Sequence, residues 1–273
     1  MGDIMLIGDY VTRNSYQNDI IFKIIDIRND KYILKGEEIR LIADAPKEDL
    51  QIYDRKKIKV FLPNLIVNDN LSTIKGKILH IDGDPHYLKK AMEAYSLYNV
   101  KAAGFYVQEK DLKFAVNELL NKDNYDILVL TGHDAIQTNS KDKNNILTTY
   151  RNSFNYVLGV EEARRNYPDK DNLIIVAGAC QSHYEALIES GANFASSPRR
   201  KNIHLLDPIV VAVTIARTRI SEYVDIEKMI DSTISKEIGG IETRGKARKN
   251  FVGGNKRDNG KSTREDQLGV KRK

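Results

Sequence analysis

The sequence predicts an α/β protein with a parallel sheet and helices on both faces, preceded by a small β-barrel and followed by a disordered basic tail. Three observations predict this order: closely spaced β-rich runs near the start, apolar runs alternating with amphipathic segments in the middle, and a change of charge near the end. With 273 residues, the chain is long enough for one large domain or two small ones. The predicted units are a barrel at 1–55, a linker at 56–76, an α/β domain at 77–240 and a tail at 241–273.

The predicted barrel contains four short β-rich runs, IMLIGDYVT, IIFKIIDIR, KYILK and EIRLIA, separated by Asn, Asp and Gly turn signals. We expect it to end in the segment 44–50, which contains Pro46. A charged stretch at 54–59 and a second stretch at 63–70 predict a linker.

From residue 77 onward, short β-branched runs alternate with segments of helical spacing, which is the pattern of βαβ units. Strands are predicted at 77–82, 101–107, 126–131, 173–178 and 193–196. Helices are predicted at 85–98, 110–121, 148–166, 207–215 and 225–234. Because the carboxyl ends of parallel strands form one rim, the loops HIDGD, TGHD and GACQS should open together.

Composition excludes several classes of protein. The longest nearly apolar run, 209–216, is far shorter than the ~18 to 20 residues needed to cross a bilayer, and Asp3 and Asp9 interrupt any signal-like start. A single cysteine, Cys180, excludes an intrachain disulfide and a cysteine-rich zinc site, and it favours a reducing compartment. We therefore expect a cytoplasmic protein with no membrane partner.

The positive charge of the chain is concentrated at its end. Residues 241–273 carry eleven Lys or Arg against four Asp or Glu, and they hold five Gly, few apolar residues and no helical period. Such a segment buries too little surface to offset the entropy of ordering, so we predict disorder. No aromatic residue is interleaved beyond Phe251, which argues against a nucleic-acid partner.

Cys180 is the predicted nucleophile. It lies where a strand turns into a predicted helix at 181–190, whose N-terminus favours a thiolate and offers free N–H groups. The alternative interpretation is a buried small hydrophobe. His133, 47 residues upstream at a neighbouring strand end, is the predicted base, and caspases separate their two catalytic residues by about 50 residues in the same order.

Other histidines compete with His133. His204 follows the cysteine in the order seen in flavodoxin-like amidotransferases, so it is the alternative base, whereas His183 shares the predicted helix with Cys180 and is badly placed. His80 and His86 flank Asp82 and Asp84 with residue types that bind metals, but the spacing fits no zinc or EF-hand pattern. We predict no metal.

The backbone N–H groups of Asp134 and Cys180 are the predicted oxyanion donors. Ser182, Ser196 and Ser197 lack the spacing of a nucleophile elbow, and turn or cap roles are predicted for them. The glycines form no phosphate-binding loop, so we predict no cofactor.

Several long blocks resemble one known family. GKILHIDGDPHYL, DILVLTGHDA, YRNS, AGACQSHYEALIESGANFASSP and GGIETRG, in this order and together with GDYVTR and RLIADAP, resemble the YabG peptidases of spore-forming Firmicutes over nearly the whole chain before the tail. The motifs transfer to His133 in TGHDA and Cys180 in AGACQS. A broader likeness is to caspase-like peptidases, which usually carry Gly just after the histidine, whereas here Gly132 precedes it and Asp134 follows.

The resemblance implies a cysteine endopeptidase made in the mother cell during sporulation. It further implies protein substrates of the spore coat and cortex machinery, cleavage at basic residues, self-cleavage, and association with the forming coat. A basic substrate side chain needs a carboxylate in its pocket, for which Asp82, Asp84 and Asp207 are candidates.

Two alternatives and one region for self-cleavage complete the predictions. The alternatives are a flavodoxin-like cysteine amidase or amidotransferase that uses His204, and a non-enzymatic coat-assembly adaptor that relies on the barrel and tail. The region predicted for self-cleavage is the tail, where Arg244, Arg248 and Arg257 are the basic residues at which cleavage would occur.

Overall fold

The computed structural model describes residues 4–58, 62–65, 73–137 and 146–250. The strands are β1 (Tyr10–Arg13), β2 (Phe22–Arg28), β3 (Lys31–Gly36), β4 (Ile42–Pro46), β5 (Leu50–Ile52), β6 (Thr73–Ile74), β7 (Ile78–Asp82), β8 (Ala102–Tyr106), β9 (Ile127–Thr131), β10 (Ile174–Ala177), β11 (Phe194–Ser196), β12 (Ile238–Gly240) and β13 (Arg248–Lys249). The helices are α1 (Pro85–Leu97), α2 (Leu112–Leu120), α3 (Ser153–Asn166), α4 (Tyr184–Glu189), α5 (Asp207–Arg217) and α6 (Ile226–Ser232).

The N-terminal strands form an antiparallel sheet in the order β4-β3-β2-β1-β5. Its buried side chains alternate along the strands, as Phe22 and Ile24 do on β2, because successive residues point to opposite faces. Within the described residues no ladder joins β4 to β5, so the structure has a five-stranded antiparallel sheet where the sequence predicted a small β-barrel.

The strand predicted at 38–43 is wrong over most of its length. Strand β3 ends at Gly36, and the chain leaves the sheet for five residues before β4 begins at Ile42. We call residues 37–41, the connection between β3 and β4, the hairpin tip. The hairpin tip departs because its backbone and side chains bind the α/β part of the molecule, as described below.

The predicted α/β architecture is present. A second sheet has the order β12-β11-β10-β9-β7-β8, and its pairs are parallel except for β11 with β12. Helices α1 and α5 pack on one face through residues such as Tyr95 and Ile209, and α2, α3 and α4 pack on the other through residues such as Val116 and Leu187. Both faces of the strands are therefore buried, as in other parallel sheets.

Strand order places a switch point beside β7. The chain runs from β7 to β8 on one side and then returns to β9 on the other, so the connections leave the carboxyl ends of β7 and β9 in opposite directions. A crevice opens at such a point, and ligands bind there in open α/β sheets. Asp82 ends β7 and Thr131 ends β9, so their loops border this crevice.

The first ten residues of the predicted disordered tail, 241–250, are ordered. Thr243 and Ala247 are almost fully buried, Ala247 forms a bridge with Arg219, and β13 pairs with β6. Residues 241–250 are ordered because they complete the edge of the α/β unit with backbone hydrogen bonds and buried side chains. The rest of the predicted tail, 251–273, lies outside the described residues.

In the described ranges, no helix has the length and apolar character that crossing a membrane requires.

Candidate active site

The strand ends at the switch point are joined by buried polar side chains. The hydroxyl of Thr131 donates to Oδ2 of Asp82 at 2.8 Å, and Nε2 of His80 lies 2.7 Å from the same hydroxyl. The other ring nitrogen of His80 lies 2.9 Å from the hydroxyl of Tyr95. His80 and Tyr95 are buried, and each provides the other with a hydrogen-bond partner. His80 therefore joins the end of β9 to helix α1.

Asp82 carries a fully buried ion pair at the rim. Arg40, from the hairpin tip, donates to both of its carboxylate oxygens, at 2.9 and 2.6 Å, and both side chains are 0% exposed. Burial alone would raise the pKa of Asp82, but the guanidinium of Arg40 holds it well below its usual range. Sequence analysis missed Arg40, whose only signal is a charged residue between apolar neighbours in EIRLIA.

Cys180 lies in the turn after β10 and is 2% exposed. Its sulfur accepts a hydrogen bond from the backbone N–H of Ile203 at 3.3 Å. Burial raises the pKa of the thiol, and backbone hydrogen bonds from Ile203 and Arg40 partly oppose this. The sequence predicted a reachable sulfur, whereas the structure buries it.

The helix predicted at 181–190 begins later than expected. Gln181 has a φ of 59°, a left-handed conformation that interrupts any helix, and α4 begins only at Tyr184. Cys180 therefore does not lie at a helix N-terminus, and the predicted dipole effect on the thiol is wrong. The helix predicted at 148–166 likewise starts only at Ser153.

His133 is fixed by three groups. Its Nε2 lies 2.7 Å from Oδ2 of Asp84, its backbone N–H donates to Glu109 at 2.8 Å, and its carbonyl accepts from the side chain of Asn152 at 2.8 Å. An Nε2–H bound to a carboxylate leaves Nδ1 as the basic nitrogen. Sequence analysis missed Glu109 and Asn152, which lie in other loops.

Two glycines make room for Glu109. A Cβ atom at either Gly83 or Gly132 would overlap the Glu109 carboxylate. Glycine in both strand-end loops was therefore the sequence signal for a side chain packed between them. A cavity of about 360 Å³ borders this carboxylate and His133, and Arg151 also lines it.

Asp84 is the N-cap of α1 and accepts from the backbone N–H of His86 at 2.9 Å. Lys35 donates to the same oxygen that His133 contacts. Burial raises the pKa of Asp84, but hydrogen bonds from His133 and Lys35 outweigh it and hold the pKa below its usual range. Asp84 is therefore an ionised partner of the histidine.

We expect the ionised carboxylate of Asp84 to make the free energy of unfolding depend on pH in the acid range. The folded pKa of Asp84 is depressed, so its stabilising contribution is present above the unfolded value of about 4 and is lost as pH falls through the folded value. The difference in free energy of unfolding between the wild-type chain and Asp84→Asn should therefore shrink below about pH 4. Urea unfolding across pH 2.5 to 7 measures it. The exposed pair of Lys31 and Asp44 supplies the control, Asp44→Asn.

Asp134 joins the His133 loop to the Cys180 loop. One of its carboxylate oxygens accepts from the hydroxyls of Ser153 and Ser182, and the Ser182 hydroxyl in turn accepts from the N–H of Ala179 at 2.9 Å. The backbone N–H groups of Asp134 and Cys180 donate to no partner in the described part of the chain. Both N–H groups are therefore unpaired within these residues.

The structure does not bring His133 and Cys180 into hydrogen-bond contact, but Tyr87 packs against His133 and lies within electrostatic range of Cys180. The rings of Tyr87 and His133 have centroids 5.8 Å apart. Burial raises the pKa of Tyr87, and nearby Asp84 and Cys180 add to the rise. Thiol and imidazole thus share one neighbour at adjacent strand ends.

Two further predicted residues, Asp207 and His204, are held by other partners. Asp207 accepts from the N–H groups of His204 and Ile234, at 3.1 and 2.7 Å, and burial raises its pKa. His204 accepts from the N–H of Leu206 through Nδ1, and its Nε2 faces Glu38 at 3.6 Å.

His183 caps α4 through Nδ1, which faces the N–H of Ala186 at 3.3 Å, and His86 faces Glu37 at 3.6 Å. Among the described residues, no three acidic, cysteine or histidine side chains converge as metal ligands.

Fold and site together define a class: an α/β protein with a thiol and a carboxylate-bound imidazole on adjacent strand ends. The chain belongs to the family described as YabG peptidase U57, which matches residues 6–66 and 64–252, so it is a peptidase. It is 40% identical over 278 positions to the sporulation-specific protease YabG of Bacillus subtilis strain 168, covering 88% of this chain and 95% of that protein. The predicted family is confirmed. No solved structure matches the chain.

Proposed function

We propose that this peptidase is a cysteine endopeptidase of sporulation that uses Cys180 as nucleophile and His133 as base. One observation carries the assignment: the two residues follow adjacent parallel strands, β9 and β10, and an ionised carboxylate, Asp84, holds the imidazole. The name of the Bacillus subtilis relative supports the role in sporulation.

The proposed reaction proceeds through an acyl-enzyme. Nδ1 of His133 takes the thiol proton while the sulfur attacks the peptide carbonyl, and the N–H groups of Cys180 and Asp134 stabilise the oxyanion. His133 then protonates the leaving amine, and water hydrolyses the thioester. Asp84 stabilises the imidazolium throughout by accepting from Nε2–H.

We further propose a basic residue before the scissile bond, with Asp82 in its pocket. Asp84 is engaged by His133 and Lys35, and Asp207 is engaged by the backbone near Ile234. Asp82 already binds a guanidinium in bidentate geometry, which is the best match between arginine and a carboxylate.

The proposed substrates are spore coat and cortex-associated proteins, met in the mother cell at the forming coat, and the chain itself. Of the arginines proposed for self-cleavage, Arg244 donates to the hydroxyl of Tyr223 at 3.0 Å and Arg248 to Asp126 at 3.0 Å. Arg257 lies outside the described residues.

The single cysteine allows a direct test. Iodoacetamide can alkylate only Cys180, so loss of arginyl-peptide hydrolysis should follow the fraction of chain that gains one adduct in mass spectrometry. Alkylation should be slow because the thiol is buried and its pKa is raised. Full activity in a completely alkylated chain would exclude the proposed nucleophile.

A further inference from the structure

The hairpin tip crosses the crevice above Cys180. Ile39 forms an antiparallel bridge with His204, and the N–H of Leu205 donates to the carbonyl of Glu38 at 2.8 Å. The hydroxyl of Tyr87 donates to the carbonyl of Ile39 at 2.9 Å. Backbone pairing of a short segment with the edge of a site is how many domains bind extended peptides.

The side chain of Arg40 fills the pocket between Asp82 and Tyr87. Its guanidinium binds both oxygens of Asp82, lies 3.4 Å from the hydroxyl of Thr131, and stacks 4.6 Å from the centroid of the Tyr87 ring. A carboxylate that can accept two hydrogen bonds from a guanidinium, with an aromatic face beside it, is the arrangement that selects arginine over lysine. The pocket therefore fits the side chain of an arginine.

Arg40 also approaches the proposed nucleophile through its backbone. The charge and the backbone of Arg40 both lower the pKa of the Cys180 thiol, so the residue that fills the pocket also lies near the sulfur. A substrate arginine before the scissile bond must likewise place its side chain in the pocket and its backbone beside the sulfur, because its carbonyl is the one attacked. A single peptide residue can therefore reach both the pocket and the sulfur.

From these contacts, we propose that the hairpin tip occupies the substrate cleft of this peptidase, with Arg40 in the pocket that receives the arginine of a substrate. The inference rests on the proposed function, because it takes the crevice at Cys180 as the cleft. A substrate gains access only when the hairpin tip withdraws.

Two details favour an occupant that blocks the cleft rather than one that is cleaved. The N–H of Leu41 donates to the carbonyl of Ile39 at 2.7 Å, and that of Gly36 to the carbonyl of Leu41 at 2.8 Å, so the chain doubles back at Arg40 instead of continuing in extended form. Within the described residues, Nε of Arg40 is buried without a partner. An incompletely satisfied guanidinium lowers the cost of withdrawing the hairpin tip.

Peptide binding tests the inference independently of catalysis. The probe is a fluorescent hexapeptide with one central arginine, and the comparison peptide has glutamine in its place. In a full-length Cys180→Ala background, Arg40→Ala should bind the arginine peptide at least about tenfold more tightly, because the apparent Kd is the intrinsic Kd divided by the fraction of chains whose cleft is open. Arg13→Ala, which removes a pair with Asp49 on the same sheet, is the matched control and should leave binding unchanged.

A second variant covers the case in which Arg40→Ala fails to fold. Lys90 donates to the carbonyl of Glu37 at 2.7 Å and anchors the hairpin tip without touching Arg40 or Asp82, so Lys90→Ala should tighten binding by a few-fold. Unchanged binding in the folded variants, with hydrolysis intact, would overturn the inference and leave the proposed function standing. Tighter binding without hydrolysis by any chain that keeps Cys180 would contradict the proposed function and support the occupied cleft.

Discussion

Replacing Cys180 with alanine is expected to reduce hydrolysis of arginine-containing peptides by at least about 10⁴-fold, since loss of a nucleophile removes the acyl-enzyme route entirely. The fold should survive, because alanine fills most of the same space and the interactions lost are the hydrogen bonds between the sulfur and the backbone of Ile203. His133→Ala should cost a similar factor, as residues that act as one unit fail together. Peptide hydrolysis followed by chromatography, with circular dichroism as the folding check, measures both.

The matched control is His204→Ala. His204 is close to the cysteine in space, but both of its ring nitrogens face other groups, Leu206 and Glu38. Near-normal hydrolysis in His204→Ala beside inactive His133→Ala supports the assignment of the base. The reverse result would favour the amidase alternative. A coat-assembly adaptor would keep its function in Cys180→Ala.

The second large effect concerns stability. Asp82→Asn should lower the free energy of unfolding by about 3 to 5 kcal/mol, because it leaves a buried guanidinium without its counter-charge. Both partners, Arg40 and Asp82, are fully buried, so water cannot compensate. Chemical denaturation at pH 7 measures the loss.

Two further variants test whether the loss of stability comes from the buried ion pair. In the exposed pair of Lys31 and Asp44, both side chains are more than half exposed, so Asp44→Asn should leave stability unchanged. The double variant Arg40→Leu with Asp82→Leu should recover much of the loss, because apolar pairs often replace buried ion pairs without penalty. A stability loss in Asp82→Asn no larger than that in Asp44→Asn would mean that the pair is open to water in solution.

Local pattern accounts for the predictions that succeeded. The strands predicted at 77–82 and 126–131 correspond to Ile78–Asp82 and Ile127–Thr131, and the helix predicted at 85–98 corresponds to Pro85–Leu97. These elements are specified by neighbours in sequence, through β-branched runs and through Pro85 at the first turn. The rim that carries His133 and Cys180 follows from strand direction alone.

The predictions that failed depend on contacts between distant residues. The helix after Cys180 is delayed because Gln181 turns the chain, and Ser182 is tied to Asp134, 48 residues away. The hairpin tip leaves its sheet because Arg40 pairs with Asp82, 42 residues away. A hydropathy pattern predicts which side chains are buried, but it does not predict which buried charged residues form ion pairs with one another.

The amino-acid sequence by itself determined the α/β architecture, the peptidase family and the pair Cys180 and His133 as candidates, because periodicity, strand-end chemistry and long sequence blocks are local properties. Only the tertiary structure decided that Asp84 binds the imidazole, that Asp82 binds a guanidinium, and that this guanidinium, of Arg40, stacks on Tyr87. The physical reason is that a buried charge takes whichever partner the packed chain brings within hydrogen-bond distance.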